Sequence, residues 1–252
     1  MNKKTITAAL IITAILSPAL MAGEKPEFGV GADFMSKYIW RGILVNDDYS
    51  IQPWAEVSYM GITAGWWSSW DTTDYTGNES EFIEHDFYLD YTMEATEGID
   101  VSLGYIYYAF PSLPDTQEVY AGAAFDVFLS PYVTVYYDFD AVNSTYATAG
   151  IGYTVDEVAK LSDDIAVSME LGASLGWGSS GYNKDYWGVT DSEFSDYTLS
   201  AAFPFAIGNW TLTPSVNYVG LIGDIDDASP AAFGTNADGD YFFTGIGVST
   251  SF

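Results

Sequence analysis

Residues 83–93 alternate without a break: Ile83, His85, Phe87, Leu89, Tyr91 and Met93 fall on one face of an extended segment, and Glu84, Asp86, Tyr88, Asp90 and Thr92 on the other. The first set is largely apolar and the second carries three carboxylates, so the two faces call for different surroundings. The chain ends on the same pattern. Phe242, Thr244, Ile246, Val248, Thr250 and Phe252 share one face, against Tyr241, Phe243, Gly245, Gly247, Ser249 and Ser251. A terminal aromatic on an apolar face suits a strand end at a membrane interface; the ordinary alternative is an edge strand of a soluble sandwich.

The first strand is read over 28–41, with Phe28, Val30, Ala32, Phe34, Tyr38 and Trp40 on one face, broken only by Ser36. Gly29, Gly31, Asp33, Met35, Lys37, Ile39 and Arg41 take the other face. At about 14 residues it exceeds an average globular strand and suits a tilted membrane crossing. Further strands are expected at 51–58, 62–70, 83–93, 101–109, 117–127, 133–140, 145–155, 165–177, 197–205, 210–218 and 241–252. Short turns at 60–61, 97–98, 130–131 and 208–209 alternate with polar loops at 46–48, 71–81, 111–115, 178–193 and 222–239. The segment 156–164 reads as a slightly longer connection with a helical turn. Short turns on one side and long loops on the other are the layout of an outer-membrane barrel with both termini in the periplasm. The expected fold is all-β, a transmembrane antiparallel up-and-down β-barrel of about twelve strands.

Other features agree with a membrane setting. Phe28, Trp40, Trp70, Tyr91, Trp177, Phe205, Trp210 and Phe252 stand near strand ends on the apolar face, where interfacial girdles form. Lys3 and Lys4, the apolar run 6–16 and the small residues up to Ala22 have the order of a secretory signal peptide. The expected division is a signal peptide at 1–22 and one barrel domain at 23–252. No later apolar run is long enough for a transmembrane helix, so a membrane crossing must be made by a closed barrel. There is no cysteine, so no disulfide supports the fold. Seven basic residues face 35 acidic ones, and Lys25, Lys37, Arg41, Lys160 and Lys184 are the basic residues outside the signal. Such a surface repels nucleic acid and anionic headgroups. The expected partners are outer-membrane lipid, the outer-membrane assembly machinery and small solutes or cations. Twenty Tyr and 8 Trp argue against disorder despite the charge.

The segment Ser36-Lys37-Tyr38-Ile39-Trp40-Arg41-Gly42 resembles the S-x-Y-x-x-R-G opening of the TorF-type porin family of bacterial outer-membrane barrels. Residues 84–91, followed by Gly104, Tyr105, Ile106, Tyr107, Tyr108 and then Pro111, resemble that family's next conserved region. The resemblance covers most of the chain in layout and is motif-like in the first half. It implies an outer-membrane location and a channel. The strongly acidic composition departs from many such sequences.

A charge facing lipid costs about 2–4 kcal/mol near the midplane, so charged strand residues belong inside. The registers place Asp33, Glu56, Glu84, Asp86, Asp90, Glu118, Asp138, Asp140, Glu170 and Asp196 inside, with Lys37 and Arg41 roughly 13 Å apart along the first strand. This set either forms a cation-favouring lumen with a transverse field or simply neutralises buried carboxylates; the two are compatible. The expected function is a porin-like channel for passive diffusion of small solutes. A plugged structural or adhesive barrel is the alternative. A lipase-type hydrolase is a third reading, resting on His85, the single histidine, which alternation turns outward without a nucleophile motif beside it. Asp138 and Asp140 have the spacing that any polar lumen gives, and Asp224, Asp226, Asp227, Asp238 and Asp240 do not match a calcium loop. No catalytic residue, cofactor or metal is assigned.

Overall fold

The computed structural model describes residues 25–77, 80–163, 165–233 and 239–252, with the backbone alone at 230–233; the expected signal peptide at 1–22 lies outside the described residues. The strands are β1 (Glu27–Met35), β2 (Tyr38–Trp40), β3 (Ile43–Asn46), β4 (Ser50–Tyr59), β5 (Ile62–Asp71), β6 (Phe82–Thr96), β7 (Ile99–Ala109) and β8 (Thr116–Phe125). They continue with β9 (Tyr132–Asp138), β10 (Ser144–Ser162), β11 (Ile165–Gly178), β12 (Glu193–Ala202), β13 (Phe205–Ile207), β14 (Trp210–Leu221) and β15 (Asp240–Ser251). β1 pairs with β15 on one side and β4 on the other, and the remaining wall strands follow in chain order, each antiparallel to the last. β13 continues β12 after a break at Phe203–Pro204, since both lie between β11 and β14. Pro204 has no N–H to give to the ladder, which is why the break falls there. The result is a closed barrel of twelve antiparallel crossings. At its seam Phe28 and Phe252 exchange backbone hydrogen bonds of 3.0 and 2.9 Å, and their rings stack at 5.9 Å.

Outward positions such as Phe87, Leu89, Leu103, Val135, Leu199 and Ile246 are exposed, the inverse of a water-soluble domain. Inward positions mix tyrosines, carboxylates and glycines. Tyr88 lies across Gly65 and Tyr120 across Gly104, their partners on the neighbouring strands. A Cβ on those glycines would sit 2.2 and 2.1 Å from the rings, so glycine is what lets the large rings lie flat on the wall.

The first crossing departs most from the sequence reading, because β1 ends at Met35. Ser36 takes the last ladder bonds: its N–H reaches the Thr244 carbonyl at 2.9 Å, and its Oγ accepts from the Thr244 N–H at 2.9 Å. The chain then folds into the barrel as the β2–β3 hairpin, a separate two-stranded sheet. Its tip, Arg41–Gly42, has φ of 48° and 83°, the left-handed pair of a two-residue type I′ turn. Lys37 and Arg41 therefore do not share a wall strand.

Other connections also gain structure. The expected loop at 178–193 holds α1 (Ser180–Trp187), with Ser179 Oγ accepting from the Tyr182 N–H and left-handed Gly188 ending the helix. The expected loop at 222–239 holds α2 (Asp224–Phe233). Asp224, Asp226 and Asp227 occupy its first turn, where free backbone N–H groups favour carboxylates. The helical turn expected within 156–164 is absent from the described residues, because β10 runs on to Ser162 through two register shifts against β11.

Candidate functional site in the barrel lumen

The pairing registers order the inward side chains into rows. Nearest the long loops stand Asp86, Tyr108 and Thr116, and the next row is Tyr88, Ile106, Glu118, Asp138 and Ser144. One step deeper lie Asp90, Gly104, Tyr120, Tyr136 and Tyr146, and a further step down Thr92, Ser102, Gly122, Thr134 and Thr148. Acidic and aromatic residues thus give way to a row of small, mostly hydroxyl residues, below which Glu94, Asp100 and Tyr132 follow at the short-turn rim.

Most carboxylates in the upper rows are held by tyrosines. Tyr88 donates to Glu56 (2.9 Å), Tyr120 to Asp90 (2.8 Å), Tyr108 to Glu118 (2.8 Å), Tyr38 to Glu84 (2.9 Å) and Tyr146 to Asp196 (3.1 and 3.2 Å). A phenol satisfies a carboxylate's hydrogen bonding without cancelling its charge, so the wall stays acidic while its polar atoms are paired.

Arg41 is the cation set into this wall. Its guanidinium makes a two-pronged pair with Glu118, Nη1 to Oε1 at 2.8 Å and Nη2 to Oε2 at 2.7 Å. Three rings surround the same group: Trp40, Tyr136 and Tyr146 have centroids 4.5, 4.2 and 4.6 Å from Cζ. Arg41 is 2% exposed. The hairpin that carries it is wedged on both sides. Ile39 and Leu44 pack on Met35, Val219, Tyr241 and Phe243, while Ile43, Trp40 and Val45 meet Leu221, Ile225 and Trp187 of α1. Apolar inward residues at the loop end of β14 and β15 thus serve the hairpin. Asn183 of α1 is tied down by bonds from Nδ2 to the carbonyls of Gly178 and Asp191.

Of the sequence-assigned residues, Glu84, Asp86, Asp90, Glu118, Asp138, Glu170 and Asp196 are buried at inward positions, and Asp33 and Glu56 are half-buried there. Asp140 lies past the end of β9, exposed, where it accepts from Gln117 Nε2 at 2.9 Å. Lys37 sits at the hairpin base in a partly exposed ion pair with Asp47, so the two cationic patches expected along one strand do not form. Sequence reasoning missed the enclosure of Arg41 by Trp40, Tyr136 and Tyr146. The available signal was Arg41–Gly42 between two short apolar runs, a hairpin signature read instead as part of one long strand.

Structures of small porins share this barrel. The KdgM porin aligns with 90% of this chain and 99% of its own at 12% identity and a TM-score of 0.51. The NanC porin aligns with 88% of this chain and 98% of its own at 13% identity and a TM-score of 0.55. At such identity the likeness is one of fold. No protein-family model matches the sequence, and no curated protein does, so the TorF-type resemblance stays at the level of its motifs.

On the outer face, Ser68 Oγ lies 2.9 Å from Nδ1 of His85, its cross-strand partner, the pairing a hydrolase would use. Ser68 is fully buried and donates its hydroxyl proton to the Glu84 carbonyl. The Glu84 carbonyl thus competes with the His85 ring for the Ser68 hydroxyl proton. Trp66 and Phe82 flank the His85 ring at 6.1 and 5.0 Å, as they would an interfacial anchor.

Proposed function

We propose that this chain is exported by a signal peptide at 1–22 and that residues 23–252 form an outer-membrane, porin-like channel. Small solutes pass through a lumen constricted near its extracellular end by the β2–β3 hairpin and α1. The observation carrying this reading is the inward wall itself, rich in carboxylates and hydroxyl groups inside an apolar exterior. The passage favours cations, since Glu84, Asp86, Asp90, Glu118, Asp138, Glu170 and Asp196 face it together with one buried cation, Arg41. One structure of the KdgM porin holds oligogalacturonate; the acidic wall here has the wrong polarity for such a polyanion.

A plugged structural barrel is the second reading, favoured by how fully the hairpin and both helices pack at the loop end. Planar bilayer recording separates the two. Discrete current steps with a cation-selective reversal potential in a salt gradient support the channel. Silence from correctly folded protein favours the plug, and anion selectivity removes the claimed preference.

A further inference from the structure

We propose that the chamber now holding the Arg41 side chain is a binding site for a planar organic cation, a guanidinium group above all, and that the hairpin tip occupies it as a tethered substitute. The chemistry of the wall supports this. Glu118 offers two coplanar oxygens at 2.8 and 2.7 Å, and Tyr136 and Tyr146 turn ring faces toward the same group at 4.2 and 4.6 Å. A carboxylate fork flanked by aromatic faces recognises a flat delocalised cation better than a compact ammonium. All three residues belong to the barrel wall, so the site remains when the hairpin leaves. Only Trp40 would leave with it. The rings continue beyond the site: Tyr120 to Tyr136 is 5.4 Å, Tyr136 to Tyr146 6.4 Å, Tyr146 to Tyr182 5.2 Å and Tyr182 to Tyr186 4.6 Å between centroids. Together they form one buried aromatic cluster around the site.

Arg41 is also an imperfect occupant. Its Nε is buried without a hydrogen bond among the described residues, and its backbone sits at a left-handed φ of 48°, unfavourable for an arginine. The hairpin pairs with itself, and side chains tie it to the wall: Tyr38 to Glu84, Arg41 to Glu118 and Asn46 to Asp71. Withdrawal therefore costs these side-chain ties and the apolar packing of Ile39, Ile43, Leu44 and Val45 but breaks no bond of the barrel ladder. An untethered guanidinium carries no turn strain and can orient all its donors, so it competes with the tip for the site. This rests on the channel reading, because the solute reaches the site through the passage.

The test uses the folded wild-type barrel and methylguanidinium as the probe. Amide hydrogen exchange of residues 38–46 should accelerate about tenfold at saturating probe while barrel-wall amides hold steady. Tetramethylammonium, with the same charge and no planar donors, should have far less effect, and Glu118→Gln should abolish the response. Unchanged exchange in the wild type overturns the proposal whether or not the variant folds. An equal response to tetramethylammonium also overturns it, by reducing the site to general electrostatics. Conductance is recorded in parallel: steps without a methylguanidinium response remove the site alone, whereas silence with an intact response removes the passage and leaves the site.

Discussion

The two halves of the lumen are built from different chemistry. Toward the long loops the wall is tyrosine, carboxylate and apolar side chains, and the hairpin and α1 are packed against it. Toward the short turns the row of Thr92, Ser102, Gly122, Thr134 and Thr148 is small and uncharged. The barrel frame is the same in both halves, so the backbone does not set this difference. The upper half binds its own chain through many directional contacts, while the row of Thr92, Ser102, Gly122, Thr134 and Thr148 below it offers only short side chains. Stability and selectivity should therefore respond to substitutions above and hardly at all to those below.

Removing the central cation should break this contrast most severely. Arg41→Ala leaves Glu118 buried with its tyrosine donor and no cation, and loss of one member of a buried pair costs about 3–5 kcal/mol. Urea unfolding measures the cost, and bilayer recording should show larger current steps as the constriction loosens. A variant as stable as the wild type would mean that the hairpin is not anchored by its tip.

Gly42→Ala tests the turn instead of the charge. The residue has φ of 83°, and a Cβ there would sit 2.7 Å from Leu221 Cδ2 and 3.0 Å from Asp196 Cβ. Strain and crowding together should cost about 1–3 kcal/mol in the same assay. A neutral result would show that the tip can shift within the lumen.

Tyr108→Phe removes the hydroxyl bond to Glu118 and leaves the Arg41 pair in place. The expected loss is about 1–2 kcal/mol, and a double-mutant cycle with Arg41→Ala should show coupling, because both act on the same carboxylate.

The barrel was legible in the sequence and the hairpin folded into it was not, for a physical reason. A wall strand between lipid and a polar lumen must alternate, so Phe87 and Leu89 against Asp86 and Asp90 declare both strand and face. The hairpin meets protein on both sides, with Tyr38, Ile39 and Ile43 all buried, and so it carries no period of its own. Its residues happened to extend the register of β1, which hid the turn at Arg41–Gly42. Helix α1 is eight residues long, too short for its apolar side to show as a repeat. The tyrosine pairing of the carboxylates depends on contacts such as Tyr146 with Asp196, 50 positions apart, and cross-strand register is what creates them.

The smallest effect is expected in the lower half, where Ser102 tests the other side of the contrast. Its hydroxyl is buried and makes no hydrogen bond among the described residues, and of its two cross-strand partners Gly122 has no side chain while the Thr92 hydroxyl donates to Asp90. Ser102→Ala therefore removes a polar atom that satisfies nothing and leaves no partner stranded, the condition under which a polar-to-apolar change is close to neutral. Its unfolding free energy should stay within about 0.5 kcal/mol of wild type. The wall keeps its carboxylates, so the reversal potential should also stay unchanged. Tyr105 and Tyr107, three and five positions along the strand from Ser102, face outward, and on its own face the nearest larger residue up the strand is Ile106, beyond Gly104. If the substitution cost as much as Tyr108→Phe, the lower half would have to hold a buried network of its own, and the division of the lumen into a bound half and an unbound half would fail.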